Sequence, residues 1–293
     1  MQLRAVSLAA AVASLVALGS PVARAQDTNA PADRSAEGAS TYRTVFGRNI
    51  LSIPSQFRAK DGRYDLVVHF HGVATAQETN LERVGINAII VSVNLGIGSG
   101  PYEEAFRDAR SFTSLLAATQ RAVEQSGRAP GATIGRIALS AWSAGFGAVS
   151  AILKVQEHAD RVDAVLLADG LHTSYLDDKK HTLNDAPLAK YVKIAEAAMK
   201  GDKLFALTHS SIPTVGYPSA TETIHELLKL TGLPRSSTLG TLVGARNMRE
   251  IYESHLGSFH VKGFEGTQAK DHVDQIHAMS DTIFPYLKDR WSR

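Results

Sequence analysis

The stretch that decides the fold runs from Ile134 to Ser150 and reads IGRIALSAWSAGFGAVS. An apolar run meets Ala-Trp-Ser-Ala-Gly and then a second apolar run with helical spacing, which predicts a strand, a sharp turn and a helix. The turn places Ser143 at its apex, and it needs small residues two positions before and two positions after, which Ala141 and Gly145 supply. The competing serine, Ser140, lies inside the strand and is followed two positions later by a tryptophan. Ser143 is therefore the candidate nucleophile.

Apolar runs and helical patterns alternate along the rest of the chain. We expect strands at 64–70, 88–93, 136–141, 162–168, 203–208 and 259–261, and helices at 102–124, 144–158, 186–200, 220–231 and 272–287. This alternation is typical of a parallel sheet wrapped by helices. Fully apolar strands, such as residues 164–167, indicate burial on both faces. The sequence thus predicts an α/β fold in which helices flank both faces of a mostly parallel central sheet.

The first 25 residues differ in character from this alternating region. A short basic start is followed by an apolar run at 5–18 and by Ala23-Arg24-Ala25, which matches a cleavage signal. We expect a secretory signal peptide at 1–25 and export to the periplasm or the medium. The apolar run is short for a membrane span, and no later segment is long and apolar enough to be one. Residues 26–40 are polar and are predicted to form a flexible lead-in, and residues 41–293 a single domain.

Charge and cysteine content narrow the chemistry. The 31 basic and 29 acidic side chains include Arg4 and Arg24 of the leader, so that the remaining chain has 29 of each sign. A neutral mature chain gives no support to a nucleic-acid partner. The absence of cysteine excludes disulfides, thiolate metal sites and a cysteine nucleophile. The chemistry must come from oxygen and imidazole groups.

The order of these elements resembles that of the α/β-hydrolase superfamily, over most of the chain that follows the leader. Three local features carry the resemblance. The turn around Ser143 is similar to the family's G-x-S-x-G, with Ala141 in place of the first glycine. The segment HFHGV at 69–73 follows an early strand and is similar to the family's H-G-x turn. The segment KDHV at 270–273 follows the last strand, where the family places its histidine.

The chemistry of a serine nucleophile requires these same groups. A serine hydroxyl is a poor nucleophile near neutral pH, so an imidazole must take its proton and a carboxylate must orient that imidazole. The resemblance implies His272 as the base, with His277 nearby as a rival. It also implies that the backbone N–H groups of Val73 and Ala144 bind the oxyanion, toward which the helix after Ser143 directs its positive end.

The carboxylate is the open member of this set. The family's usual acid follows the strand at 203–208, where this chain has His-Ser-Ser at 209–211. Asp169 ends the preceding strand and keeps the order Ser, Asp, His, although Asp-Gly is also a common turn pair. Glu222 is the reserve candidate. The segment SATE at 219–222 matches a capping box, which is the favoured role for this glutamate.

Two other patterns allow different interpretations. His69 and His71 form an H-x-H pair, but no histidine in the chain stands in a recognised metal-ligand spacing, so we predict no metal ion and no cofactor. Hydrogen bonds to loop backbone are the expected role of His69 in particular. The segment GIGSG at 96–100 lacks the Lys-Ser/Thr of a nucleotide-binding loop, and a wall of the substrate cleft is the favoured interpretation.

The sequence therefore predicts a secreted serine esterase in which Ser143 attacks, His272 moves the proton and Asp169 orients His272. Its substrate would be a small or polymeric carboxylic ester. An amidase or peptidase with the same triad remains the nearest alternative. A noncatalytic binding protein on the same scaffold is the alternative of a different class, because fold alone does not confer activity. Natural substrate and oligomeric state stay open.

Overall fold

A computed structural model describes residues 40–292 of the chain. The predicted signal peptide, and residues 26–39 of the predicted lead-in, lie outside the described residues.

Ten strands of the described chain form one sheet, and two short strands, β7 and β8, pair separately. The strands are β1 Tyr42–Phe46, β2 Asn49–Ile53, β3 Arg63–Phe70, β4 Ala88–Val93, β5 Thr133–Trp142, β6 Ala164–Ala168, β7 Tyr175–Asp177, β8 Thr182–Leu183, β9 Leu204–His209, β10 Ser236–Val243, β11 Met248–Leu256 and β12 Phe259–Phe264. The order across the large sheet is β1-β2-β4-β3-β5-β6-β9-β12-β11-β10. The pairings from β4 to β12 are all parallel, and only β2 and β11 run against the other strands.

Helices cover both faces of this sheet. They are α1 Ala74–Val84, α2 Gly100–Ala105, α3 Ala109–Ser126, α4 Phe146–Ile152, α5 Gln156–Arg161, α6 Ala189–Met199, α7 Ala220–Thr231, α8 Ala269–His277, α9 Met279–Thr282 and α10 Phe284–Trp291. Successive residues of a strand point to opposite faces, so neighbours enter different cores. In β3, Leu66 and Val68 pack in one core with α2 to α7, whereas Val67 packs in the other with α1 and α8 to α10. The predicted fold class, a mostly parallel sheet with helices on both faces, is confirmed.

The strand order fixes where a cleft can form. From β3 the chain passes to β4 on one side, then crosses back over β3 to reach β5 on the other. In open α/β sheets, ligands bind beyond the carboxyl ends of the strands at such a reversal. The segments that follow β3 and β5 contain His71 and Ser143, so this point of the sheet positions the candidate residues.

Three predicted helices are interrupted in the structure. The helix expected at 102–124 divides because Asp108 caps a new helix, its side chain accepting a hydrogen bond from the N–H of Arg110 at 2.9 Å. The closing helix divides into α8, α9 and α10, and Pro285 stands in the first turn of α10, where its missing N–H is tolerated. The helix expected at 144–158 divides at Val155, which has an extended backbone.

The strands outside the parallel region were not predicted. β1, β2, β10 and β11 pair antiparallel at the two edges of the sheet, and most residues of β10 are exposed or half-buried. Because edge strands expose polar and apolar residues together, they lack the continuous apolar run that marks a buried parallel strand. Among residues 40–292, no helix combines the length and the apolar character needed to cross a membrane.

The end of β3 contains a buried histidine that belongs to the sheet. His69 is 1 % exposed, and it lies opposite Ser140 in the parallel pairing of β3 with β5. Its Nδ1 is 2.9 Å from the Ser140 hydroxyl, and its Nε2 donates to the carbonyl of His71 at 2.9 Å. Burial lowers the pKa of His69 to about 3, against the opposing effect of the bond to the His71 carbonyl. The predicted hydrogen bond to loop backbone is confirmed.

This buried imidazole should make stability depend on pH. Between pH 6.5 and about 3 the unfolded chain protonates His69 and the folded chain does not, so the free energy of unfolding falls as the pH is lowered through this range. We expect His69→Gln to reduce the loss of stability between pH 7 and pH 5 by roughly 2 kcal/mol. Urea unfolding at the two pH values measures the difference, with the exposed His255→Gln as a control. An unchanged pH dependence in His69→Gln would contradict the assignment.

Candidate active site

Ser143 occupies a strained turn between β5 and α4. β5 ends at Trp142, residues Ser143–Gly145 form one turn of 3-10 helix, and α4 follows directly. The φ angle of Ser143 is 49°, in the left-handed region that a residue with a side chain rarely adopts. Strain of this kind persists only where the surroundings hold the backbone, and two glycines show what holds it here.

Gly145 and Gly170 allow other backbone segments to approach the turn. A Cβ at Gly145 would overlap the carbonyl of Phe70 at the end of β3, whose carbon lies 2.6 Å from the position of that Cβ. A Cβ at Gly170 would overlap the backbone of Ser143, with the Ser143 nitrogen 2.6 Å away. The turn is thus held between the ends of β3 and β6. Asp169 directly precedes Gly170, the residue that contacts the backbone of Ser143.

The structure brings Asp169 and His272 together across 103 residues of sequence. His272 lies in α8, and its Nδ1 donates to Oδ2 of Asp169 at 2.7 Å. The carboxylate is 3 % exposed and also accepts two hydrogen bonds from Ser210, from the N–H at 2.9 Å and from the hydroxyl at 2.7 Å. Burial alone would raise the pKa of Asp169. The bonds from His272 and Ser210 outweigh burial, so the pKa lies below the ordinary value and the group is ionised.

The bond to Asp169 determines which nitrogen of His272 is free. A carboxylate accepts, so the proton of a neutral His272 stays on Nδ1 and Nε2 keeps its lone pair. Trp142 holds the ring in place, because its ring lies 4.7 Å from that of His272 and its Nε1–H donates to the His272 carbonyl at 2.9 Å. On the other side Trp142 stacks on His71 at 5.1 Å. No described hydrogen bond joins the Ser143 hydroxyl to His272, a contact that in free enzymes often tightens only when substrate binds.

The turn after β3 lies against the same group of residues. Gly72 has a φ angle of 94°, and a Cβ there would overlap the side chain of Ile276 in α8 and lie 3.3 Å from the ring of Trp142. Val73 is the N-cap of α1, and Ala144 lies in the first turn after β5. Backbone N–H groups at these positions have no partner within their own helix. Their predicted role at an oxyanion remains a prediction.

Strand order, the turn after β5 and the pair formed by Asp169 and His272 together define one architecture. The chain has the α/β-hydrolase fold.

Comparisons with known proteins concern this fold alone. An uncharacterised protein from Capnocytophaga ochracea is 12 % identical with a TM-score of 0.47, and the match covers 84 % of this chain and 64 % of that protein, so the chain spans less than two thirds of its length. A thermophilic esterase from Thermogutta terrifontis is 16 % identical with a TM-score of 0.44, over 84 % and 93 % of the two chains. The feruloyl esterase module from Clostridium thermocellum, complexed with sinapinate, is 14 % identical with a TM-score of 0.44, over 84 % and 86 %. No protein-family model and no curated protein matches the sequence.

After β9, where the sequence has His-Ser-Ser in place of the expected acid, a serine supports the carboxylate of Asp169. Ser210 follows β9 and binds Asp169 through both its N–H and its hydroxyl. The neighbouring His209 is buried, and its Nε2 lies 2.5 Å from the hydroxyl oxygen of Tyr252. Nothing in the sequence marked Ser210 or Trp142 as members of the site, because both act through contacts that form only when separate strands come together.

The reserve candidates occupy other positions. Glu222 forms the predicted capping box of α7, accepting from the N–H and the hydroxyl of Ser219 at 2.8 Å each, and it also accepts from Tyr175. The favoured capping role of Glu222 is confirmed. His277 ends α8, and burial lowers its pKa.

The H-x-H pair does not act as one unit. His71 lies beyond β3 with a φ angle of 73°, and its Nδ1 is 2.8 Å from the hydroxyl of Tyr102. Burial and then the nearby His272 lower the pKa of His71. No three His, Asp or Glu side chains of the described part of the chain converge as a metal site would need. The segment at 96–100 lies beside His71, since the carbonyl of Gly96 accepts from Tyr102 at 3.3 Å.

The contact between Gly170 and Ser143 should tolerate no side chain. We expect Gly170→Ala to destabilise the protein by about 2 kcal/mol, because the new methyl group must displace the backbone of the turn. Gly100→Ala is the matched control, since a Cβ there meets no atom within 4 Å and the backbone is not in the left-handed region. Urea unfolding of both variants measures the effect. Equal stability of the two variants would show that Gly170 does not pack closely against the backbone of Ser143.

Proposed function

We propose that the protein is a serine hydrolase that cleaves carboxylic esters through an acyl-enzyme intermediate. Ser143 attacks the ester carbonyl while Nε2 of His272 takes the hydroxyl proton. The same proton then passes to the departing alcohol oxygen as the bond between carbonyl carbon and alcohol oxygen breaks. A water molecule, deprotonated by His272, releases the acid and restores Ser143.

One observation carries this proposal: the 2.7 Å hydrogen bond from Nδ1 of His272 to a buried, ionised Asp169. Such a carboxylate holds neutral His272 in the tautomer that leaves the Nε2 lone pair free, and it stabilises the imidazolium that forms during attack. The two bonds from Ser210 keep Asp169 ionised when His272 is neutral.

In this proposal, backbone groups bind the negative charge that develops on the carbonyl oxygen. The N–H groups of Val73 and Ala144 are the donors, and each stands at the start of a helix whose positive end favours an anion. One such donor accounts for about 3 kcal/mol of transition-state stabilisation in other serine hydrolases.

Ester substrates are the class that we favour over amides. Alcohol leaving groups depart more readily than amine leaving groups. Three apolar side chains in the segments that follow β3, β4 and β9 are exposed, Val73 at 59 %, Ile97 at 75 % and Val215 at 95 %. Exposed apolar groups beside a cleft suit the apolar parts of an ester. Residues 1–25 support the further proposal that the enzyme acts outside the cytoplasm.

Covalent labelling tests the nucleophile. A fluorophosphonate should modify Ser143 in the folded protein, because only a serine activated by an adjacent base reacts readily, and peptide mass spectrometry locates the adduct. We expect Ser143→Ala to abolish labelling and to lower kcat on ester substrates by about 10⁴-fold or more. Ser140→Ala, which removes the competing serine, should label as the native protein does. A folded native protein that does not label would favour the noncatalytic binding protein.

Ser210 provides a second test, which concerns the carboxylate. Ser210→Ala removes the hydroxyl donor at 2.7 Å from Asp169 and should lower kcat about tenfold with little change in KM. Loss of a donor to the charged form raises the pKa of Asp169, so the loss of activity that follows protonation of Asp169 in acid should begin at a higher pH than in the native protein. Ser211→Ala is the matched control, because its hydroxyl donates to the carbonyl of Phe264. The same loss of kcat in both variants would contradict the role of Ser210.

A further inference from the structure

His172 is a titratable group near the candidate triad for which the proposed mechanism has no use. It lies three residues after Asp169, and its ring meets that of Phe146 edge to face at 5.5 Å. Phe146 is itself three residues after Ser143 and begins α4. On the other side, the ring of His172 meets that of Tyr217 edge to face at 5.4 Å. The imidazole therefore bridges from the helix after the nucleophile to the loop that follows β9.

A single hydrogen bond determines the protonation of His172. Its Nδ1 lies 3.0 Å from the carbonyl oxygen of Pro218. A carbonyl only accepts, so Nδ1 carries the hydrogen and Nε2 presents a lone pair. Burial lowers the pKa of His172, and the smaller contributions from Pro218 and Asp169 oppose it. The lowered pKa keeps the ring neutral near pH 7.

Nε2 is the unused atom of this side chain. Within residues 40–292, no described hydrogen bond involves Nε2 of His172. It is also not one of the fully buried polar atoms that lack a partner, so Nε2 keeps some contact with solvent. A histidine that served only to hold the loop in place would need only the bond to Pro218. The acceptor at Nε2 is therefore available to a ligand bound near Asp169 and His272, whose charges both act on this imidazole.

The surroundings of Nε2 favour a neutral donor. The rings of Phe146 and Tyr217 flank the imidazole, and Tyr217 is 48 % exposed. An ammonium group is strongly hydrated and loses much of that hydration between apolar rings, whereas a hydroxyl loses less. A hydroxyl group is therefore the donor that suits this position.

We propose that Nε2 of His172 accepts a hydrogen bond from a hydroxyl group of the substrate, so that the enzyme prefers hydroxylated esters to matched esters that lack the hydroxyl. The inference rests on the proposed esterase function and specifies its substrate class. A site that pairs with a substrate hydroxyl discriminates against the deoxy analogue, because its polar atom is then left without a partner.

Matched ester pairs test this preference. The pairs are ethyl 3-hydroxybutyrate with ethyl butyrate, 2-hydroxyethyl butyrate with propyl butyrate, and methyl 4-hydroxyphenylacetate with methyl phenylacetate. We expect kcat/KM to favour the hydroxylated member of at least one pair by about tenfold. No preference in any pair would overturn the proposal.

Two variants separate the acceptor role of Nε2 from the loop contact that Nδ1 makes with Pro218. His172→Asn keeps an N–H near the position of Nδ1, for the carbonyl of Pro218, and has no atom at Nε2, so the preference should fall to about one. His172→Gln places an amide oxygen near Nε2 and should restore part of the preference. A preference that persists in a folded His172→Asn would also overturn the proposal.

A binding measurement distinguishes failure of this inference from failure of the esterase function. In Ser143→Ala labelled with ¹⁵N-histidine, the hydroxylated ester should shift the Nε2 resonance of His172 and the deoxy ester should not. Ester turnover by the native protein, with neither a preference nor a shift, would overturn the role of His172 and leave the esterase intact. A shift without turnover would retain the hydroxyl site and overturn the esterase.

Discussion

The close approach of Gly170 to the backbone of Ser143 is the constraint on which the site depends. It holds a non-glycine residue at a φ angle of 49° and, through the adjacent Asp169, ties the turn at Ser143 to the carboxylate. Asp169 itself has a φ angle of 46°, so both residues lie in strained conformations that the packing of β3, β5 and β6 maintains. Parallel strands make this possible because their carboxyl ends meet at the same edge of the sheet.

Burial of a charge is the second cost that the fold must offset. Asp169 is almost fully removed from water, yet it receives three hydrogen bonds, two from Ser210 and one from His272. Donors aimed at a carboxylate stabilise its charged form and can outweigh desolvation. Trp142 completes the support, since it contacts His272 and lies directly before Ser143. One residue thus couples the position of the imidazole to the turn that carries the serine.

Local pattern and long-range packing contributed differently to what could be predicted. The buried strands β3, β4 and β6 follow from continuous apolar runs, and α7 follows from a capping box and a left-handed Gly232 at its end. The helical patterns at 102–124 and 272–287 each continue across a point where one helix ends and another begins. These points are marked by the N-cap Asp108 and by Pro285. In β11 buried and exposed residues alternate, but the buried positions include the polar Glu250 and Ser254, so the sequence shows no apolar alternation. The edge strand β10 has no buried residue and therefore shows no apolar period either.

The sequence by itself determined the turn at Ser143, the histidine after the last strand and the parallel character of the sheet, because each depends on residues close together in the chain. Only the tertiary structure decided that Asp169, and not Glu222, pairs with His272, and that Ser210 and Trp142 support this pair. It also decided that one nitrogen of His172 has no hydrogen-bond partner within residues 40–292. These contacts join residues separated by 41 to 130 positions, and Pro218 and His172 by 46. A local pattern carries no information on such pairs, since the packing of separate strands and helices alone sets the distances between them.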